Sequence, residues 1–178
     1  RKGHAQTLAA FELLWAEGID VDLIIVGKRG WDMAPFIEYL CQHSENGQRL
    51  FWFESISDEY LEKLYAASSC LIAASEGEGF GLPLIEAGQH GLPIMARGLR
   101  VFREVAGENA VYFDGLEPDD LARSLRSWFS SWQEGKVVSS ALISWLTWTQ
   151  SALQLRRAVG LHGTQAQGDE PTRRVKEL

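Results

Sequence analysis

The hydrophobic pattern of the chain changes repeatedly between helical and strand-like spacing. The first twenty residues, "RKGHAQTLAAFELLWAEGID", predict an amphipathic helix whose apolar face carries Leu8, Phe11, Leu14 and Trp15. The next run, "VDLIIVG", is short, rich in β-branched residues and closed by Gly27. Such a run is typical of a strand that is buried on both faces, so the chain is expected to open with a helix that leads into a buried strand.

The same alternation continues along the chain. Helices are predicted at 33–43, from Ser57 onward and at 83–90, with a short helical turn at 102–105. Strands are predicted at 49–53, 70–74, 93–96 and 110–113. Strands separated by helices of this length require right-handed crossovers and a mainly parallel sheet with helices on both faces. We therefore predict an α/β fold, a Rossmann-like α/β/α domain.

The C-terminal part of the chain becomes helical and then loses its pattern. Apolar residues recur at spacings of three and four at Leu121, Leu125, Trp128 and Trp132, and a second helix is predicted at 139–157. We expect these C-terminal helices to close the domain. The predicted organisation is a domain at 1–158, which starts abruptly and lacks its first strand, and a linker or disordered tail at 159–178.

Composition and charge narrow the possible partners. The chain has 178 residues, of which 46% are hydrophobic and 23% charged, as expected for one globular domain. Proteins that bind nucleic acids usually carry a basic surface for the phosphate backbone, whereas this chain has a net charge of −7. We therefore predict no nucleic-acid partner. No run reaches the roughly 20 apolar residues of a transmembrane helix. The two cysteines lie far apart, which fits a reducing compartment.

The stretch "SEGEGFGLPLIE" at 75–86 concentrates acid and glycine after a predicted strand. Ligands of an open parallel sheet bind at the carboxyl ends of its strands, where this loop is expected to lie. Gly79 and Gly81 allow a positive φ and a close approach of ligand to main chain, and Pro83 suits the first turn of a helix. The N-terminus of that helix would present N–H groups and a positive dipole end to a phosphate or pyrophosphate.

Two carboxylates flank this predicted anion site, Glu78 just before the helix and Glu86 in its first turn. Because carboxylates accept hydrogen bonds from hydroxyls, the combination favours a sugar linked to a phosphate, as in a nucleotide sugar. From the residues alone, a structural role stays equally open, in which the acids balance the helix dipole and the glycines turn the chain. A metal site is disfavoured, because His90 lies a full turn beyond Glu86 and no third carboxylate has ligand spacing.

Two other enzyme classes are disfavoured. A dinucleotide-dependent dehydrogenase would carry G-x-G-x-x-G after its first strand, whereas "VGKRGW" has glycines only at 27 and 30. A glycosidase also uses two carboxylates, but it has no need of a helix N-terminus aimed at an anion between them. The pattern therefore favours transfer from a phosphorylated donor.

The segment "EGEGFGLPLIEAGQHGLPI" resembles the motif of the retaining GT-B glycosyltransferases of family 4, in which seven residues separate two glutamates. The resemblance extends through "ISDEYLEKLYAASSCLIAAS" and "FREVAGENAVYFDGLEPDDLA", and it covers about residues 1–133. It implies that the chain is the C-terminal, nucleotide-sugar-binding half of a GT-B enzyme.

The resemblance also implies roles for single residues. Glu78 matches the acid that meets the hydroxyls of the donor sugar near the reaction centre, and Glu86 matches the acid that binds the nucleotide ribose. Lys2, with Arg1 beside it, is similar to the basic pair that binds the donor diphosphate. Glu78 and Lys2 are thus the implied catalytic residues.

Further donor-binding positions follow from the same resemblance. The backbone that holds the donor sugar and its phosphate is matched by Gly79, Phe80, Gly81 and Leu82. Gly27 matches a glycine that lines the nucleotide cleft, and Ser55 and Ile56 match the segment whose backbone faces the base. The sequence departs from the family at Glu54, where many members have glycine, and at Arg97, where a small residue is common.

A finer resemblance, through "LFWFESISDEYLEKLYAAS" and "WLTWTQSALQL", is to bacterial polysaccharide mannosyltransferases of O-antigen and capsule assembly. It implies transfer of mannose with retention, from GDP-mannose to a hydroxyl of a saccharide or lipid-linked saccharide, without a cofactor or a bound metal. The acceptor would bind the absent N-terminal domain, so this fragment is expected to bind donor weakly and to transfer nothing alone. A UDP-sugar donor and a non-catalytic regulatory module of the same fold stay open. The expected location is the cytoplasm, including the inner face of the cell membrane.

Overall fold

The computed structural model describes residues 1–30 and 33–160 of the chain. In order, the elements are α1 His4–Ala16, β1 Leu23–Val26, α2 Ala34–Gln42, β2 Leu50–Phe53, α3 Asp58–Ala67, β3 Leu71–Ala73, α4 Leu82–Gln89, β4 Ile94–Arg97, α5 Arg100–Ala106, β5 Val111–Phe113, α6 Pro118–Gln133 and α7 Trp148–Ala158. Most predicted bounds are met to within a residue. The turn predicted at 102–105 is a longer helix that begins at Arg100. The largest departure is the last helix, which begins at Trp148 and leaves 139–147 non-helical.

Local sequence explains where several helices begin. The hydroxyl of Ser57 accepts the N–H of Tyr60 at 3.3 Å, as predicted for an N-cap, and Asp58 and Glu59 lie in the first turn. Glu117 and Asp120 form a capping box ahead of α6. These side chains satisfy N–H groups that a helix leaves unpaired at its start.

All strand pairs are parallel, as predicted for an α/β fold. β1 pairs with β2 in one sheet, and β3, β4 and β5 lie in that order in another. The described strands therefore form two sheets rather than the single sheet expected from the sequence. The division falls between β1 and β3, which do not pair with each other.

Helices pack on both faces of the strands. One core cluster contains the predicted apolar face of α1, namely Leu8, Phe11, Leu14 and Trp15, together with residues of β1, β2 and α6. The other cluster joins α4 and α5 to Ile94 and Ala96 of β4, whose intervening residue Met95 belongs to the first cluster. The predicted face of α6 is buried except at Trp132, which is 49% exposed because it lies in the last turn of the helix.

The predicted burial of β1 on both faces is wrong. Leu23 and Ile25 are buried, whereas Ile24 and Val26 are 39% and 37% exposed. Ile24 and Val26 alternate with the buried residues and share one face of β1, so this face is left open. In addition, the edge of β1 away from β2 has no neighbour among the described residues.

The described chain divides into two compact units, Arg1–Ser144 and the residues from Trp145 onward. In the second unit, Thr147 is the N-cap of α7, and its hydroxyl accepts the N–H of Gln150 at 3.2 Å. The predicted domain at 1–158 stays a prediction, and most of the predicted tail, from 161 onward, lies outside the described residues. Among the described helices, none has the length and apolar character that crossing a bilayer requires.

Candidate functional site

The chain enters α1 directly beside the end of β3. The carbonyl oxygen of Arg1 accepts the N–H of Glu76 at 2.9 Å. Gly3 has φ +76°, and a Cβ at this position would lie 2.1 Å from the carbonyl oxygen of Ala74. This contact requires glycine, and it fixes the backbone on either side of Lys2 against the loop that follows β3.

Lys2 and Glu78, the two implied catalytic residues, are in direct contact. Lys2 Nζ lies 2.7 Å from Oε1 and 3.0 Å from Oε2 of Glu78, although 76 positions separate them in sequence. The side chain of Glu78 is 13% exposed and that of Lys2 is 51% exposed. Burial, followed by the charge of Lys2, lowers the pKa of His4, so His4 is neutral near pH 7 and adds no charge of its own.

The loop from Gly79 to Leu82 leads into the N-terminus of α4. Gly81 caps the helix with φ +98°, and ring atoms of Phe102 lie 3.0 Å from where a Cβ would stand. Positive φ was expected at Gly79 as well, but that residue lies outside the left-handed region and has open space around it. Within this loop, the local backbone requires glycine at Gly81 but not at Gly79.

Fewer amides face the predicted anion site than the sequence suggested. Pro83 has no N–H, and the N–H of Leu84 donates to the carbonyl of Gly81 at 3.0 Å. Leu82 is therefore the one residue among the first three of α4 whose N–H can face a ligand. The exposed residues Gly79 and Phe80 lie just ahead of Gly81, the N-cap of the helix.

Glu86 lies in the second turn of α4, because the helix begins at Leu82; the predicted first-turn position is wrong. Its Oε2 accepts a hydrogen bond from the hydroxyl of Tyr65, in α3, at 2.7 Å. The ring of Tyr65 stacks on His90, with ring centroids 5.3 Å apart. Burial, and then the hydrogen bond to Glu86, raises the pKa of Tyr65, so the hydroxyl stays protonated and keeps one carboxylate oxygen in place.

We expect Tyr65→Phe to weaken the binding of GDP about fivefold, because one hydrogen bond is worth about 1 kcal/mol. The measurement is a Kd from calorimetry with the full-length protein, and Tyr60→Phe, on an exposed residue of the same helix, is the matched control. If Tyr65 acts by orienting Glu86 toward the ribose, the loss disappears with a dideoxyribose analogue of GDP. An unchanged Kd for GDP itself would contradict the role.

Arg97, flagged by the sequence only as a departure from the family, holds the backbone of the site together. It is 6% exposed, and its guanidinium donates to the carbonyl of Ala74 at 3.0 Å and to that of Ser75 at 3.1 Å. It also donates to the carbonyl of Gly115 and to the side chain of Gln6. One side chain thus joins the end of β3, the first turn of α1 and the segment after β5.

We expect Arg97→Met to lower the free energy of unfolding by about 2 kcal/mol. The change leaves several carbonyl oxygens without a donor, but it also removes a desolvated charge, which offsets part of the loss. Arg100→Met, on an exposed residue of α5, should cost less than about 0.5 kcal/mol in the same urea titration. Equal effects of the two substitutions would show that the buried hydrogen bonds of Arg97 contribute nothing net.

The remaining predicted positions are less closely connected. Gly27 ends the β1 segment, accepts a hydrogen bond from Trp52 Nε1 at 3.3 Å, and lines the same 1310 Å³ cavity as Lys2 and Glu78. Ser55 and Ile56 lie in the loop between β2 and α3 and are not among the described residues that line this cavity. The roles assigned to Gly27, Ser55, Ile56 and Arg1 stay predictions, as do those of the other predicted site residues.

Two residues of the site escaped the sequence analysis. Gly3 could have been suspected, because it separates a basic pair from a helix and so has a reason to be glycine. Tyr65 gave a weaker signal, its spacing of four from Leu61, which places both on one face of α3. That this face meets Glu86 depends on the packing of α3 against α4 and has no local signature.

The fold and the site at the carboxyl end of β3 define a class of protein. The C-terminal domain of LpcC, a glycosyl transferase group 1 family protein from Francisella tularensis, matches with a TM-score of 0.66 over 77% of this chain and 73% of that domain, at 20% identity. At this identity the likeness concerns the fold alone. The predicted fold class is confirmed: the chain has the fold of a GT-B glycosyltransferase C-terminal domain.

The chain belongs to the glycosyl transferases group 1 family, whose model matches residues 1–141. It is 53% identical over 152 residues to the serotype-specific mannosyltransferase WbdA from Escherichia coli, and the aligned region covers 85% of this chain and 19% of WbdA. It is 33% identical over 142 residues to O-antigen chain mannosyltransferase B from Escherichia coli, and this alignment covers 75% of this chain and 36% of that protein. The family predicted from the motif is thus confirmed, and the chain spans about a fifth of the length of WbdA.

Proposed function

We propose that this chain is the donor-binding domain of a retaining mannosyltransferase that uses GDP-mannose in the synthesis of a bacterial surface polysaccharide. The observation that carries the proposal is the contact of Lys2 with Glu78 beside the N-terminus of α4. A cation, a helix N-terminus and a carboxylate at the end of one parallel strand suit a diphosphate joined to a sugar. Mannose is proposed as the transferred sugar because the similar proteins are named mannosyltransferases.

In this proposal each side chain has a distinct task. Lys2 binds the diphosphate, whose charge is also met by the amides of the exposed residues Gly79, Phe80 and Leu82. Glu78, released from Lys2 by the incoming phosphates, accepts hydrogen bonds from mannose hydroxyls. Glu86, held by Tyr65 at Oε2, accepts ribose hydroxyls through its other oxygen.

The proposed reaction transfers mannose to an acceptor hydroxyl with retention and releases GDP. The departing diphosphate gains negative charge, and Lys2 with the N-terminus of α4 stabilises that charge without a bound metal or cofactor. The acceptor, a saccharide or lipid-linked saccharide, binds outside this chain, because a GT-B site lies between two domains. We place the reaction in the cytoplasm, at the inner face of the cell membrane.

The proposal is tested by calorimetry on the full-length protein with GDP-mannose, GDP, UDP and UDP-glucose. We expect heat with the two guanine nucleotides, together with loss of GDP-mannose binding in Glu78→Gln. Binding of the uridine nucleotides alone would overturn the choice of donor. No heat with any of the four would favour a domain that has kept the fold without the activity.

A further inference from the structure

Glu54, which the sequence shows only as a departure from the family, forms an ion pair with Arg29 just beyond β2. Arg29 Nε lies 3.0 Å from Oε1 of Glu54, and the two side chains are 61% and 45% exposed. The guanidinium of Arg29 also lies over the ring of Trp52, 5.6 Å from its centroid. The carboxylate of Glu54 is thus held by a cation and remains accessible to a ligand.

This ion pair is joined to the donor site through the backbone of Gly27. The N–H of Gly27 donates to the carbonyl of Phe53 at 3.0 Å, and the indole N–H of Trp52 donates to the carbonyl of Gly27 at 3.3 Å. Gly27 lines the 1310 Å³ cavity of the donor site. Glu54 directly follows Phe53, so it lies one residue from a backbone contact with the wall of that cavity.

The shape of a nucleoside diphosphate assigns this end of the cavity to the base. The cavity extends from Lys2 to Gly27 and Lys28, at the end of β1. If the phosphates bind at Lys2, the ribose separates them from the base, which leaves the carboxyl ends of β1 and β2 for the base. Ser55 and Ile56, the residues predicted to face the base, come directly after Glu54.

A carboxylate in this position is selective among the common bases. It can only accept hydrogen bonds, and it repels the phosphates of the ligand unless the base supplies donors. Guanine presents two adjacent donors, N1–H and the 2-amino group, which match the two oxygens of a carboxylate. Uracil presents one N–H between two carbonyl oxygens, and adenine presents its amino group beside an acceptor nitrogen. Both of these bases would bring an acceptor toward Glu54.

We propose that Glu54 selects the guanine base of the donor and that Arg29 is its positioning residue. Glu54 accepts N1–H and the 2-amino group of guanine, while Arg29, held over Trp52, fixes the carboxylate and offsets its charge. The inference rests on the proposed function and adds to it the residue that chooses the base. Ion pairs of exposed side chains stabilise a fold only slightly, so a purely structural role predicts no effect on base choice.

The test is calorimetry on the full-length protein with GDP and with inosine diphosphate, which lacks the 2-amino group. The parent should bind GDP about tenfold more tightly, because one hydrogen bond to a charged group is lost with inosine diphosphate. Glu54→Ala should weaken GDP binding and bring the ratio of the two Kd values close to one. Glu62→Ala, which removes an exposed acid of α3, should keep the parent's ratio.

Two results would overturn the choice of Glu54 and leave the proposed function intact: equal Kd values of the parent for the two nucleotides, or a parent-like ratio in Glu54→Ala. Binding of UDP alone by the parent would instead overturn the proposed donor and this inference together. The comparison of the two nucleotides on the parent needs no substitution, so it decides even if a variant fails to fold.

The role of Arg29 has its own readout. Arg29→Met should lower the preference for GDP over inosine diphosphate part of the way, because Glu54 loses the cation that holds it. Adding this change to Glu54→Ala should leave the ratio of Kd values where Glu54→Ala alone puts it, since Arg29 acts through Glu54. A parent-like ratio in Arg29→Met would contradict the positioning role.

Discussion

Gly3→Ala should lower the free energy of unfolding by about 4 kcal/mol, at the upper end of what single substitutions cost. The added methyl group would lie 2.1 Å from the carbonyl oxygen and 2.7 Å from the carbonyl carbon of Ala74. Both atoms belong to the backbone at the end of β3, so no side chain can move aside. The φ of +76° adds the strain of a left-handed conformation. The measurement is urea unfolding followed by tryptophan fluorescence.

Gly18→Ala is the matched control for this prediction. Gly18 has φ +79°, and no described atom lies within 4 Å of its Cβ position, so the two substitutions share the backbone strain and differ in the contact. We expect Gly18→Ala to cost about 1.5 kcal/mol. Similar losses at both sites would mean that the start of α1 is not held against β3. In that case the position assigned to Lys2 would lose its main support.

Lys2→Ala should reduce kcat of the full-length enzyme by about 150-fold, which corresponds to about 3 kcal/mol of transition-state stabilisation. The reason is that Lys2 Nζ lies 2.7 Å from Oε1 of Glu78, in the loop that leads to α4, where the leaving diphosphate would gain charge. The assay measures transfer from GDP-mannose at saturating donor, so that weaker binding does not obscure the loss.

The same substitution should leave the fold almost unchanged. Lys2 is half exposed, and ion pairs of exposed side chains contribute roughly 0 to 1 kcal/mol, so the Tm of Lys2→Ala should match that of the parent. Lys63→Ala, on an exposed lysine of α3, is the control for a general loss of positive charge. A kcat for Lys2→Ala within twofold of the control would remove Lys2 from the reaction.

Local patterns predicted the elements well, because their causes are local. Ser57 with two acids after it is sufficient to start α3, and the alternating runs locate the strands to within a residue. The burial of β1 was not predictable in the same way. Its composition is typical of a strand buried on both faces, whereas the face that carries Ile24 and Val26 is partly exposed among the described residues.

The site was predicted in part. The spacing of Glu78 and Glu86 and the glycines between them are visible in the sequence. The family resemblance implied that Lys2 also serves the donor, but the contact of Lys2 with Glu78, which joins positions 76 apart, was not predicted. The partners of Glu86 and Arg97 were not predicted at all. Tyr65 contacts Glu86, and the backbone carbonyls contact Arg97, only because separate helices and strand ends pack together in the folded chain. Hydrophobic periodicity in the sequence does not predict such contacts.

The central claim is that Lys2 and Glu78 form the donor site together with the N-terminus of α4. A crystal structure of the full-length protein with GDP-mannose tests this claim most directly. We predict a diphosphate oxygen within about 3 Å of Lys2 Nζ, a mannose hydroxyl on Glu78 and a ribose hydroxyl on Glu86. A Lys2–Glu78 pair that stays intact while the diphosphate binds elsewhere would contradict the account.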